Sequence, residues 1–323
     1  MSGAATRAVL VDAAGGQTGG AARFRGELLA YLARTGREDV EVIGTRRHIG
    51  PGWLLRRELS SRARTRRVAL NNVGFFATGG QRWTLQRNAL YFLTKAEEER
   101  LDRARRAKAR REAVVVHQAA RRSDVIVAPC TAMAERITTV MPELSSRVVV
   151  RLHPVAQRVC VPGDPIILCP VLFASYKEMP QRLAELLAAV ENLEDPAVRV
   201  QVTAHAAEMP AAIARHQQVE LVGRLPYSKL QELQQHSRAI YFPPGLESFG
   251  YPLAEARASG QPVIARDTDQ NREIAGPALF GYSQGDPDSL RGAVEAGLKA
   301  EIVPDPEPFD PDKYFDWLLG LSQ

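Results

Sequence analysis

Short runs of β-branched and aromatic residues recur along the whole chain, separated by stretches with helical spacing, and this alternation restricts the fold more than any other feature. Strands are expected at 7–12, 40–43, 67–71, 124–128 and 147–152, then at 165–169, 198–203, 219–222, 238–242, 262–265 and 278–280. Parallel strands need a crossover long enough to hold a helix, so strand–helix alternation predicts an α/β fold of doubly wound, Rossmann-like parallel sheets. No internal repeat appears. A length of 323 residues suits two such domains, and 45% hydrophobic with 24% charged residues is ordinary for a globular chain.

The break between domains is expected at Val159-Cys-Val-Pro-Gly-Asp-Pro165, where two prolines and a glycine can continue neither element. This gives domains at 1–158 and 159–307. Charge supports the division: residues 1–160 hold 29 Lys and Arg against 14 Asp and Glu, a balance of +15, whereas residues 161–323 balance at −10. Cys130, Cys160 and Cys169 form no CxxC pattern and read as reduced core residues. No apolar run approaches the roughly 18 residues of a membrane span, and Arg7-Ala-Val-Leu-Val-Asp12 reads as a first buried strand rather than a signal peptide. The expected location is cytoplasmic, with peripheral attachment to a membrane left open.

The most informative single stretch is Glu247-Ser-Phe-Gly-Tyr-Pro-Leu-Ala-Glu255, continuing as Ala-Arg-Ala-Ser-Gly-Gln-Pro-Val-Ile264. Pro243-Pro244-Gly245 forces a turn after a strand ending at Phe242, and the spacing from Leu253 predicts a helix ending at Gly260. Glu247 then stands before the helix and Glu255 about one turn or more inside it, too far apart to share a proton as a tight dyad. Carboxylates accept hydroxyls and repel phosphate, so the pair suits the two hydroxyl-bearing ends of a nucleotide sugar. The N–H groups of Ser248, Phe249 and Gly250 would face the diphosphate between them. Upstream, Gly15-Gly-Gln-Thr-Gly-Gly20 precedes a helix expected to carry Leu28, Leu29 and Leu32 on one face. Its glycines suit either close phosphate approach or a plain tight turn. The spacing is not GxGxxG, which argues against a dinucleotide-dependent dehydrogenase.

These residues carry a resemblance. Val222-Gly-Arg-Leu225, the Glu247 to Glu255 stretch, Arg272-Glu273-Ile-Ala-Gly276 and Gly285-Asp-Pro-Asp-Ser-Leu290 resemble the retaining GT-B glycosyltransferases of the "group 1" family, family 4-like, over most of residues 165–300. The resemblance implies two Rossmann-like domains facing across a cleft. The C-terminal one would hold a nucleotide-diphosphate sugar and the N-terminal one the acceptor. It implies that Glu247 orients the sugar and that Glu255 holds ribose. Lys177 would bind the diphosphate, and Gly19-Gly20, Arg224 and Leu225 would belong to the donor site. Sugar transfer would proceed with retention, without metal or cofactor beyond the donor, and the leaving phosphate can accept the acceptor's proton. It also implies that a terminal helix at 308–323, with Tyr314, Trp317, Leu318 and Leu321 at helical spacing, packs back on the N-terminal domain. One departure is plain: an arginine is expected about six residues before Lys177, and Val171 stands there.

Other features have plainer readings beside sharper ones. Asp267-Thr-Asp269 resembles a metal-binding pair but fits a loop, and the six histidines have no ligand spacing. Asn71, Asn72, Phe75 and His153 are candidates for the acceptor side. The basic runs 56–67 and 100–111 suit solvated helix faces, or an anionic or membrane-associated acceptor. Without interleaved aromatics they do not suit single-stranded nucleic acid. In the second run, acidic residues precede arginines by three or four, which predicts local pairing. The alternatives to transfer are a GT-B relative that epimerises a nucleotide sugar or joins non-sugar cyclitols, and a basic peripheral binding protein without catalysis. Base, sugar, acceptor and oligomeric state are not legible.

Overall fold

The computed structural model describes residues 8–17, 19–60, 64–76, 79–161, 163–170 and 178–320. The chain divides into two compact units, one comprising Met1–Val155 with Phe309–Gln323 and the other Ala156–Pro308.

The first unit runs β1 (Val9–Asp12), α1 (Gly19–Thr35), β2 (Val40–Ile43), α2 (Pro51–Ser60), β3 (Arg66–Ala69), β4 (Gln81–Leu85), α3 (Lys95–Glu99), α4 (Arg103–Arg122), β5 (Val125–Ala128), α5 (Thr131–Val140) and β6 (Val148–Val150). The second runs β7 (Asp164–Cys169), α6 (Met179–Glu191), β8 (Arg199–Val202), α7 (Ala211–Ala214), β9 (Val219–Leu221), α8 (Tyr227–His236), β10 (Ser237–Phe242), α9 (Tyr251–Ser259), β11 (Val263–Arg266), α10 (Asp269–Ala275), β12 (Leu279–Tyr282) and α11 (Pro287–Lys299). The chain ends in α12 (Pro311–Leu319), which belongs to the first unit.

Each unit holds one six-stranded parallel sheet, in the orders β2-β1-β3-β4-β5-β6 and β12-β11-β10-β7-β8-β9. In both, the winding reverses once, between β1 and β3 in the first sheet and between β7 and β10 in the second. Crevices at the carboxyl ends of the strands flanking such a reversal are where open parallel sheets bind ligands. Right-handed crossovers put α6 on one face of the second sheet and α8, α9 and α10 on the other. On the first face Leu183, Leu186, Leu290 and Val294 of α6 and α11 pack over Ile167, Tyr241 and Ile264.

Several expectations need correction. A strand absent from the sequence reading, β4, lies between β3 and β5 with Val68 opposite Trp83. Its first two residues are polar, which hid a five-residue strand. The buried face of α1 is Phe24, Leu28 and Tyr31, while Leu29 is 43% exposed. The face was misjudged because the aromatics at 24 and 31 extend the i, i+4, i+7 stripe that a leucine count overlooks. Pro165 is not linker but the second residue of β7, and the preceding segment is tied down by Val161 N donating to Gln235 O at 2.9 Å. The first basic run is not a solvated face throughout: Arg57 and Arg67 are fully buried, and Arg66 lies over the Trp83 ring at 4.4 Å. In the second run Asp102 pairs locally with Arg105 at 3.9 Å as expected, but Glu97 and Glu98 reach past their near neighbours, to Arg136 at 2.6 Å and to Arg110 at 2.5 Å. The short helix α3 ends before α4 begins, so i, i+4 geometry does not extend across the junction.

Helix α12 packs on α1 through Phe315 against Phe24 and Tyr31, and Tyr31 Oη donates to Asp316 Oδ1 at 2.5 Å. Tyr314 and Leu318 are buried, and Trp317 meets Trp83 edge-on. Leu321 lies outside the described residues. Among the described residues no helix is long and apolar enough to cross a membrane.

Candidate functional site

The second unit brings both glutamates to the carboxyl end of β10, at the reversal. Strand β10 ends at Phe242, and residues 243–250 lead into α9. Gly250 adopts φ 89°, and a Cβ there would press on Phe242 and Leu253 at 3.0 Å, so the turn into the helix requires glycine. Phe249 is 2% exposed and meets Tyr251 edge-on, which anchors the loop from below. Glu247 and Ser248 remain half-buried above it. From the next crossover, Gln270 Nε2 donates to the Glu247 carbonyl at 3.3 Å, tying the loop to α10.

Glu255, the fifth residue of α9, is 6% exposed and accepts a hydrogen bond from Tyr227 Oη at 2.7 Å. Tyr227 opens α8, two residues past Leu225. The two glutamates therefore have different surroundings: Glu247 sits on a loop at the sheet rim, and Glu255 faces the start of α8. Tyr227 was not legible as a site residue, because contact between the starts of α8 and α9 depends on the order of strands that the sequence does not state. Gly223 takes φ 68° after β9, and Arg224 beside it forms an ion pair with Glu208. Leu225 is half-buried. Lys177 and Val171 lie outside the described residues.

The Asp267-Thr-Asp269 triplet is taken up locally. Arg272 pairs with Asp267 at 2.7 Å and Asp269 at 3.0 Å, and Thr268 caps α10 by accepting from Asn271 N at 3.2 Å. Among the described residues no group of three or more His, Cys, Asp or Glu side chains could hold a metal.

The reversal in the first unit is built differently. Asp12, the last residue of β1, is fully buried. Its Oδ1 accepts from Ala14 N at 3.0 Å and Trp53 Nε1 at 3.1 Å, and its Oδ2 accepts from Arg57 Nη1 at 2.6 Å and Asn71 Nδ2 at 2.8 Å. Arg57 Nη2 donates to Gly74 O at 2.5 Å, and its guanidinium lies 4.5 Å over the Phe75 ring. Gly44 admits Trp53, since a Cβ there would stand 2.6 Å from its ring. Asn71 and Phe75, expected to line an acceptor site, are thus internal, and Phe75 packs in the core with Leu10 and Ala69. They were misplaced because Asn-Asn after a strand reads as a surface turn unless the buried Asp12 is known. Asn72, at φ 66°, accepts from Arg87 N through its side chain at 2.5 Å. His153 is 1% exposed, edge-on to Phe24 at 5.0 Å. Burial, aided by the nearby Arg87 charge, holds its imidazole well below the usual histidine range. A fully enclosed ring is core rather than a lining of any surface. Gly19 and Gly20 open α1, with Gly19 at φ 63° and exposed.

Comparison with known proteins adds the following. Residues 210–307 match the family model described as "Glycosyl transferases group 1", a stretch that contains Glu247, Glu255 and Tyr227. No curated protein matches the sequence. Among solved structures, Anabaena HepE in complex with UDP superposes with a TM-score of 0.65 at 11% identity, covering 97% of this chain and 99% of that one. Sucrose-phosphate synthase from Thermosynechococcus elongatus gives 0.61 at 13% identity, covering 94% and 92%. UDP-GlcNAc 2-epimerase from Methanocaldococcus jannaschii gives 0.54 at 11%, covering 96% and 98%. Such identities bear on fold alone. The fold is GT-B, two Rossmann-like units, and residues 210–307 carry the group 1 glycosyltransferase match within it.

Proposed function

We propose that this protein transfers a sugar from a nucleoside-diphosphate sugar to an acceptor, with retention of anomeric configuration and without a metal. The observation that carries the reading is the pair of glutamates at the β10–α9 junction, where Tyr227 holds Glu255 in place. In this reading Glu255 accepts the ribose hydroxyls and Tyr227 fixes the carboxylate that does so. Glu247 accepts sugar hydroxyls and offsets the positive charge that develops at the anomeric carbon as the sugar–phosphate bond breaks. The N–H groups of Ser248, Phe249 and Gly250, at the start of α9, attract the leaving diphosphate together with Lys177. The departing phosphate accepts the acceptor's proton on the same face, so no separate base is needed. Gly19 and Gly20 belong to the donor site in this reading because glycines allow close approach of phosphate to backbone, and the first unit selects an acceptor that is small, lipid-linked or glycan.

The experiment is turnover: purified protein with UDP-, GDP-, ADP- and dTDP-sugars and a broad acceptor mixture. A glycosylated acceptor and free nucleoside diphosphate are expected. No transfer and no donor hydrolysis with any pairing would contradict the reading. Val171, standing where an arginine is expected, favours one second reading, nucleotide-sugar epimerisation; its product would be an altered sugar still joined to its nucleotide.

A further inference from the structure

We infer that Arg266 supplies the diphosphate-binding cation missing at Val171, an inference that rests on the proposed donor site in the second unit. Three observations converge on this residue. The first is its place. Arg266 is the last residue of β11, and Ala265 lies opposite Phe242, so Arg266 is level with Pro243 where the chain leaves β10. It therefore stands beside the reversal between β10 and β7. It shares parity with Ile264, which packs with α6 and α11, so its side chain leaves the sheet on the α6 face. Lys177 precedes α6 by two positions in the sequence.

The second observation is its direction. A Cβ on Gly245 would collide with Arg266 Nη1 and stand 3.7 Å from Cζ, so the guanidinium lies across the loop two residues before Glu247. Gly245 has no positive φ to explain the glycine. Its missing Cβ leaves the space in which the end of this flexible side chain lies, and a Cβ there would displace the guanidinium.

The third is that the charge is uncommitted. Elsewhere in the unit Arg182 pairs with Glu178 and Glu185, Arg224 with Glu208, Arg257 with Asp305, Arg272 with Asp267 and Asp269, and Arg291 with Asp288. Arg199 and Arg238 donate to backbone carbonyls, and Arg158 and Arg215, which also lack an ion pair among the described residues, are exposed rather than half-buried. Arg266 makes no hydrogen bond or ion pair through its guanidinium with any described residue. In a half of the chain with a net charge of −10, a half-buried arginine left unpaired beside the reversal suits an anionic ligand that arrives from outside.

The test measures binding of nucleosides and their mono- and diphosphates in the uridine, guanosine, adenosine and thymidine series, to wild type, Arg266→Ala, Arg266→Lys and Gly245→Ala. Arg266→Ala is expected to weaken the best diphosphate about 10 to 100-fold, the value of one or two charge-assisted hydrogen bonds, while nucleoside affinity stays unchanged. Arg266→Lys should restore part of the loss. Gly245→Ala keeps the charge but moves it, and should weaken the diphosphate even if Arg266→Ala fails to fold. Unchanged diphosphate affinity in Gly245→Ala and in folded Arg266→Ala, with transfer intact, overturns the role of Arg266 and leaves the glycosyltransferase reading standing. Equal weakening of nucleoside and diphosphate also overturns it. Absence of any diphosphate binding by wild type removes both.

Discussion

The two sheets reverse their winding in the same way, yet the crevices that result are furnished in opposite senses. In the first unit the strand end carries a buried aspartate, and Trp53, Arg57 and Asn71 converge on it. In the second, the corresponding strand ends are apolar, Cys169 and Phe242, and the charged groups sit on the loop and rim beyond them. The contrast separates fold from function: one topology offers two crevices, and side-chain chemistry decides whether each is filled from inside or from solution. The excess positive charge of the first half is also partly spent internally, since Arg57 and Arg67 face no solvent.

The largest expected effect lies at Asp12 in the first unit. Asp12→Ala leaves Arg57 charged and enclosed, and the expected cost is about 3–5 kcal/mol of stability. The first unit holds all three tryptophans, Trp53, Trp83 and Trp317, so their fluorescence during urea unfolding reports on that unit. A midpoint equal to wild type would mean that the ion pair is not what closes the crevice.

The next effect lies in the second unit. Glu247→Ala is expected to slow sugar transfer about 10²- to 10³-fold, the scale for removing one group aimed at transition-state charge, with nucleoside diphosphate binding retained. Equal losses in rate and in binding would assign Glu247 to ground-state binding instead.

A third effect is pH-dependent and belongs to the first unit. His153 is held neutral by burial, so its folded pKa lies below the unfolded value of about 6.5. The unfolded chain binds the extra proton, and stability should fall as pH drops below about 6.5, by up to roughly 1.4 kcal/mol per pH unit until the folded pKa is reached. Above pH 7 this contribution is constant. Chemical unfolding between pH 7 and 5 should show the slope, and His153→Phe should flatten it; an unaltered slope would place the titration elsewhere.

The smallest expected effect is at Tyr227. Tyr227→Phe removes one hydrogen bond to Glu255, and nucleoside diphosphate affinity should fall about fivefold, or ~1 kcal/mol. No change would mean that Glu255 is positioned by its helix alone.

The second unit was more legible than the first. Proline, glycine and β-branched runs mark β10, its turn and α9 within two residues, and Gly260 ends the helix at φ 69° as expected. Local sequence determines each of those features. What it does not determine is which elements become neighbours. Tyr227 meets Glu255 from 28 positions away and Arg57 meets Asp12 from 45, and neither pairing has a periodic signature. Arg57 looked like surface because basic residues surround it in sequence. Strand β4 was hidden for a related reason: Gln81 and Arg82 sit at its entrance, so only Trp83, Thr84 and Leu85 are buried.

The proposed function makes the β10–α9 rim of the second unit a nucleoside-diphosphate site in which Glu255 holds the ribose. It is tested most directly by calorimetric titration of UDP, GDP, ADP and dTDP into wild type and Glu255→Ala. The expected result is selective binding of one diphosphate to wild type and a loss of about 10 to 100-fold in the variant. Equal affinity in both proteins, or no binding to either, would contradict the account.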